Sequence, residues 1–99
     1  MDSILQREHS RCWLCGRRGT SVDPLDCHHV FFGPFRDASE RYGLKVYLHH
    51  AKCHIFGKDA VHMNAKVCRS MQEEAQSIAM EFYGWTVDDF IMIFGRNYL

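Results

Sequence analysis

The apolar positions of this chain change their period along its length. Leu25-Asp26-Cys27-His28-His29-Val30-Phe31-Phe32 is short, ends in β-branched and aromatic residues, and stops at Gly33-Pro34. It reads as a strand. Phe35, Ala38 and Tyr42 follow at helical spacing and Gly43 closes them, which predicts a short helix. Lys45-Val46-Tyr47-Leu48-His49 reads as a second short strand. From about Ala60 to Tyr83 the period is helical: Val61, Cys68, Ala75 and Phe82 recur every seven residues, with Met71 and Ile78 on the same stripe. The stripe is interrupted at Asn64, and Gly84 ends the helix. Thr86 with Asp89 three residues later has the form of an N-cap, and Phe90, Ile91, Ile93 and Phe94 make a short apolar helix ended by Gly95. On this pattern Cys27 and Cys68 are small buried hydrophobes.

Length and composition add limits. Ninety-nine residues that are 46% hydrophobic and 24% charged suit one globular domain, 1–99, of α+β class. No apolar run approaches the roughly 18–20 residues of a membrane span, so no membrane role is expected. The first residues, Met1 to Arg7, lack a basic stretch followed by an apolar one, so a secretory leader is not expected and a cytoplasmic setting is. Twelve basic and twelve acidic side chains cancel, but unevenly. Residues 1–58 hold nine Lys/Arg against six acids, a difference of +3, and residues 59–99 hold three against six. The first part is the expected face for a phosphate backbone, with Arg17 and Arg18 in its polar loop as candidate contacts.

What changes the picture is five Cys and seven His in so short a chain. An odd cysteine count in a cytoplasmic protein argues against a disulfide framework and for metal binding. Cys12-Trp13-Leu14-Cys15-Gly16 is a C-x-x-C-G turn in which two thiolates can grip one zinc, with Trp13 placed to shield it. His50-Ala51-Lys52-Cys53-His54 is a second turn rich in ligands, and His28-His29 is a pair on the first strand. Phe31, Phe32 and Phe35 read as core filling, with wedging into nucleic acid as the other role open to them.

The order of these ligand groups resembles the HNH, or ββα-metal, nuclease superfamily over Arg11–Asn64. The whole chain is similar to a group of small phage-encoded HNH-like proteins. The residues that carry this are Ser39-Glu40-Arg41-Tyr42-Gly43-Leu44, Val46-Tyr47-Leu48, Val61-His62-Met63-Asn64 and Phe94-Gly95-Arg96-Asn97-Tyr98-Leu99. The resemblance implies a zinc-stabilised ββα-metal core over 11–64 and a helical extension over 65–99. It implies a structural Zn²⁺ on Cys12, Cys15, Cys53 and a histidine standing where the pattern has a fourth Cys. His50 is preferred for its x-x spacing to Cys53, with His49 as the alternative. It further implies His28 as a ligand of a second, catalytic divalent ion (Mg²⁺, Mn²⁺, Ni²⁺ or Zn²⁺), His29 as general base, His54 and His62 as further ligands, and Asn64 in support.

Neighbours on a regular strand face opposite ways, so His28 and His29 serve one site only if the strand twists or ends there. The middle Asn of the pattern, due near Leu44 or Lys45, is absent. The expected function is metal-dependent cleavage of phosphodiester bonds, in DNA first, by a phage or prophage protein in the bacterial cytoplasm. The other readings are a catalytically degenerate zinc-stabilised nucleic-acid-binding module and a phage–host interaction module. The apolar C-terminal helix offers a surface for a homodimer.

Overall fold

The computed structural model describes residues 1–99. It is an α+β arrangement: a two-stranded antiparallel sheet with helices around it. Strand β1 is Leu25–His29 and β2 is Lys45–His49, in the register Leu25↔His49 through His29↔Lys45. Between them lie a 3₁₀ turn, Gly33–Phe35, and helix α1, Arg36–Tyr42. A π-helical turn, His50–Ile55, follows β2 directly. Helix α2 is Ala65–Tyr83 and α3 is Val87–Phe94.

Strand β1 is shorter than its pattern suggests. Val30 and Phe31 are buried but leave the ladder. The backbone of Phe31 is satisfied by Ser39 of α1 instead: the Phe31 N–H donates to Ser39 Oγ at 3.1 Å, and that hydroxyl donates to the Phe31 carbonyl at 2.6 Å. A serine with no exposed surface thus ends the strand and docks α1. Gly43 closes α1 at φ 70°, and a Cβ there would collide with the Asp2 carbonyl, so the glycine lets the N-terminal segment lie across the helix end. That segment continues along β2. Ser3 Oγ donates to the Lys45 carbonyl at 2.5 Å, the Tyr47 N–H donates to Gln6 Oε1 at 2.8 Å, and the Trp13 N–H donates to the Tyr47 carbonyl at 2.8 Å. The outer edge of β2 is therefore covered rather than left open.

The core joins Val46 and Leu48 of β2 to Val30, Phe31 and Leu44, then to Met71, Ala75 and Ala79 of α2 and Phe90 and Phe94 of α3. The seven-residue stripe does not survive intact. Helix α2 starts at Ala65, capped by Asn64 Oδ1, which accepts from the N–H groups of Lys66 and Val67. Val61 is buried but lies before the helix, and Phe82 is 60% exposed. A straight α-helix drifts about 20° per seven residues, so a strict heptad stripe rotates off the core. Gln76 takes the inward place instead. It has no exposed surface, donates to Asn97 Oδ1 at 2.8 Å and accepts from the Tyr98 N–H at 2.7 Å. The C-terminal residues are thereby latched onto α2. Helix α3 has the expected capping box of Thr86 and Asp89. Cys68 is half-buried against the core, while Cys27 is exposed. No helix is long and apolar enough to cross a membrane.

Candidate metal centres

Three groups of ligand side chains gather around the turn His50–Ile55: Cys12, Cys15, His49 and Cys53; His28, His54 and His62; and Asp26, His50 and His54, which shares His54 with the second. In a wide helical turn, residues four apart lie on the same side. His49 and Cys53 face the first knuckle, and His50 and His54 face Asp26 of β1. Gly57 makes this possible, because a Cβ there would run into the Lys52 carbonyl where the chain folds back on the turn. The N–H groups of Phe56 and Gly57 both donate to the Ala51 carbonyl, at 2.9 and 3.0 Å. π-helical turns often mark functional sites.

The first cluster is Cys12, Cys15, His49 and Cys53, whose ligand atoms all lie within 4.8 Å of one another, close enough to hold a metal such as zinc. Cys15 Sγ is 3.3 Å and Cys53 Sγ 3.9 Å from His49 Nδ1. His49 Nε2 donates to the Arg18 carbonyl at 2.8 Å, so Nδ1 is the ring atom left with a lone pair toward the sulfurs. Burial opposes ionisation of Cys12, but the N–H groups of Cys15, His49 and Leu14 hold its pKa below the usual thiol value. Burial, then the Cys12 sulfur, pushes Cys53 up. Three sulfurs and one imidazole, with Cys12 and Cys53 almost wholly buried, are the donor set of a closed structural zinc site.

The fourth position is therefore His49 and not His50, which corrects the expectation from spacing. C-x-x-C spacing suits a knuckle, but a π-turn brings residues four apart together. His50 is exposed and its Nδ1 pairs with Asp26 Oδ2 at 2.6 Å. His49→Ala should release the metal, and His50→Ala should retain it at full stoichiometry. Metal content of the purified variants checks this; equal loss in both would refute the assignment.

The second cluster is His28, His54 and His62. His54 Nε2 lies 3.2 Å from His28 Nδ1 and 3.1 Å from His62 Nε2. Two backbone bonds bring His62 in: the Val61 N–H donates to the Cys53 carbonyl at 2.9 Å, and the His62 N–H to the His54 carbonyl at 3.1 Å. His54 Nδ1 pairs with Asp26 Oδ2 at 2.9 Å, which leaves the Nε2 lone pair facing its two neighbours. Burial, then His54 and His62, lowers the His28 pKa to about 3, so this ring is neutral at neutral pH. Burial, then His54, lowers that of His62 as well. The His28 Nε2 atom is buried and has no hydrogen-bond partner. Imidazole lone pairs this close repel unless a proton or a cation joins them, and three converging imidazole nitrogens suit a divalent transition metal.

Strict alternation would turn His28 and His29 to opposite sides of a strand, yet both are buried here. Strand β1 ends at His29, and both rings line one hollow of about 180 Å³ with Cys27, Phe32, Arg36, His54 and His62. His29 is 8% exposed, and its Nε2 pairs with Glu40 Oε1 at 2.9 Å, while Glu40 Oε2 accepts from Lys45 Nζ at 2.8 Å. Asp26, Arg36 and Glu40 carried no signal in the chain pattern that would have singled them out. Asn64 caps α2 through its side chain and belongs to none of these groups.

Hydrogen bonds from Lys45 and then His29 lower the Glu40 pKa to about 2. A depressed carboxyl stabilises the fold at pH above its unfolded value, near 4.5, and that contribution fades as pH falls toward 2. Glu40→Gln should therefore narrow the stability gap between pH 6 and pH 3 relative to the wild type. Urea melts at the two values measure it, and an unchanged gap would show that the pairing contributes nothing.

Comparison with known proteins brings no matching family model, no matching characterised protein and no matching solved structure for this chain.

Proposed function

We propose that this chain is a small metal-dependent endonuclease of the HNH, ββα-metal kind that acts on nucleic acid, DNA first. The observation that supports this best is the separation of its ligands into two sets. One is a closed Cys₃His cluster suited to structure. The other is an open trio of imidazoles whose hollow also holds His29 and Arg36. A binding module stabilised by zinc alone has no need of the second set.

Cleavage of a phosphodiester requires a water to lose a proton and negative charge to be neutralised on the phosphate and the leaving oxygen. His28, His54 and His62 would hold a divalent ion, which would supply charge neutralisation at the phosphate. His29 is the base. Its Nε2–H is given to Glu40 Oε1, so Nδ1 is the atom that takes a proton from water. Lys45 keeps the Glu40 carboxylate ionised and in place. Arg36, exposed at the start of α1 and lining the same hollow, is placed to grip a phosphate oxygen. The family likeness points to a phage or prophage protein of the bacterial cytoplasm.

The test is nicking of supercoiled plasmid by the purified protein with Mg²⁺, Mn²⁺, Ni²⁺ or Zn²⁺, beside His29→Ala. Metal-dependent nicking by the wild type alone is expected. A well-folded wild type that leaves the plasmid intact would refute the enzyme. A missing Asn near Leu44 favours the second reading, a nucleic-acid-binding or phage–host interaction module with a degenerate site. At that place Leu44 is core and Lys45 is committed to Glu40.

Backbone binding has its own expected result. Arg17, Arg18 and Lys52 line a hollow of about 210 Å³ beside His49. Charge reversal of Arg17 and Arg18 should weaken DNA binding and flatten its salt dependence by roughly one logarithmic unit of slope per lost phosphate contact. Anisotropy titrations at several salt concentrations measure it; unchanged slopes would place the phosphates elsewhere.

A further inference from the structure

Eight large apolar side chains of this protein are exposed; Phe32 packs against His28 and His62 of the imidazole trio, Phe56 packs against His50, and Met63 follows His62 in the chain. Phe32 is 43% exposed, Phe56 69% and Met63 64%. The rest are spread over the termini, the Val22 loop and α2–α3. Single exposed hydrophobes are ordinary, but two exposed phenylalanine rings each set against a histidine need a cause.

The two phenylalanines also stand in order. The Phe32 ring lies 5.6 Å from His62 and 6.1 Å from His28, centroid to centroid. His62 lies 4.8 Å from His54. His54 shares Asp26 with His50, and His50 lies 6.0 Å from Phe56. A line of groups thus passes from Phe32 across the imidazole trio, through the Asp26 carboxylate, to His50 and Phe56, with a phenylalanine at each end. Its neighbours behave differently: Phe31 is wholly buried and Phe35 half-buried in the core. Of the three aromatics around the first strand's end, only Phe32 is turned outward. Its charged company is Arg36, in the hollow that Phe32 also lines.

We infer that Phe32 and Phe56 are base-stacking platforms, and that this face takes a nucleic-acid strand with unstacked bases rather than an intact duplex. This deepens the nuclease reading and rests on it for the ligand's class. Bases inside a duplex already stack on their own neighbours and present only edges and backbone. An unpaired base presents a whole π-face, which an exposed phenylalanine matches without regard to sequence. Arg36 meets the phosphate that joins two such bases. The metal trio then faces the backbone between the stacked positions.

The experiment is binding by the full-length, zinc-replete protein with no other divalent ion added. The probes are a fluorescein-labelled single strand of mixed sequence, the same strand annealed to its complement, and a single strand carrying 2-aminopurine. The single strand should bind about tenfold tighter than the duplex. Phe32→Ala and Phe56→Ala should each weaken single-strand binding about tenfold, within the roughly 5- to 150-fold that one stacked base is worth. Duplex binding should not move. Phe→Tyr at either site should restore single-strand affinity, and 2-aminopurine emission should be quenched by the wild type but not by the double alanine variant. Both side chains are exposed, so the variants fold, as their zinc content and melting curves will show.

Equal affinity for strand and duplex, alanine variants that bind like the wild type, or no binding to either probe would overturn the inference. Plasmid nicking combined with no single-strand preference would overturn it and leave the nuclease standing. Single-strand stacking without any metal-dependent cleavage would do the reverse.

Discussion

Cys12→Ser and Cys53→Ser proteins should bind no zinc at the Cys12, Cys15, His49 and Cys53 cluster and should fail to fold. Cys12 and Cys53 are 2% and 3% exposed and belong to the same core cluster as Val46, Leu48 and Phe31. Each is tied to a different part of the chain, Cys12 to the N-terminal knuckle and Cys53 to the turn after β2. Zinc on this set would therefore cross-link residues about forty apart. For sites of this kind metal affinity is folding free energy, of order 10–16 kcal/mol in zinc-finger peptides. Whole-domain stabilities are only about 5–15 kcal/mol. The sheet has two strands, and a two-stranded hairpin is at best marginal alone. A serine hydroxyl is a poor zinc ligand at neutral pH and would be a polar group in a position only 2–3% exposed. Elemental analysis together with far-UV circular dichroism is the measurement. The expected result is about one zinc per wild-type chain, none in the variants, and loss of helical signal in both and in chelated wild type. Folded wild type free of zinc would remove the structural role.

The second large effect, which rests on the proposed nuclease activity, is expected at His29. His29→Ala should keep the zinc, the fold and nucleic-acid affinity, and lose roughly two to four orders of magnitude in cleavage rate, the usual worth of a positioned acid–base group. The ring's contacts explain why little else should change. Its one hydrogen bond runs to Glu40, whose other oxygen still pairs with Lys45 after the substitution. On the proposed reading His28→Ala should behave differently: it should weaken binding of a divalent ion by the imidazole trio, so excess Mg²⁺ or Mn²⁺ partly restores cleavage. Side-by-side nicking rates over a range of metal concentrations separate the two. Equal cleavage by wild type and His29→Ala would make His62 the next residue to change.

The interior of α2 and the cap of α3 were legible in the chain because they depend on neighbours in sequence. Thr86 and Asp89 close their capping box within one turn. Met71 and Ala75 are four apart on one helical face, and both are buried. Phe82 falls outside because a straight helix drifts off a strict seven-residue repeat, so that near its end Ala79, not Phe82, points inward. Gln76 was missed because its burial is compensated by Asn97 and Tyr98, twenty-one and twenty-two residues away.

The same division runs through the candidate sites. By itself the sequence determined the kinds of ligand and their order: a C-x-x-C knuckle, a His pair on a strand that needed to end there, and a second turn dense in Cys and His. These are local facts, set by residue type and by the reach of a few bonds. Only the tertiary structure decided that His49 joins the sulfurs while His50 goes to Asp26, because a π-turn exchanges three-residue for four-residue neighbours. Only it brought His62 to His54, through two backbone bonds that no spacing foretells. It also placed Glu40 on His29 and left Phe32 outside the core beside the imidazole trio. A side chain's chemistry is carried in its own atoms, but its partner is chosen by where distant segments pack.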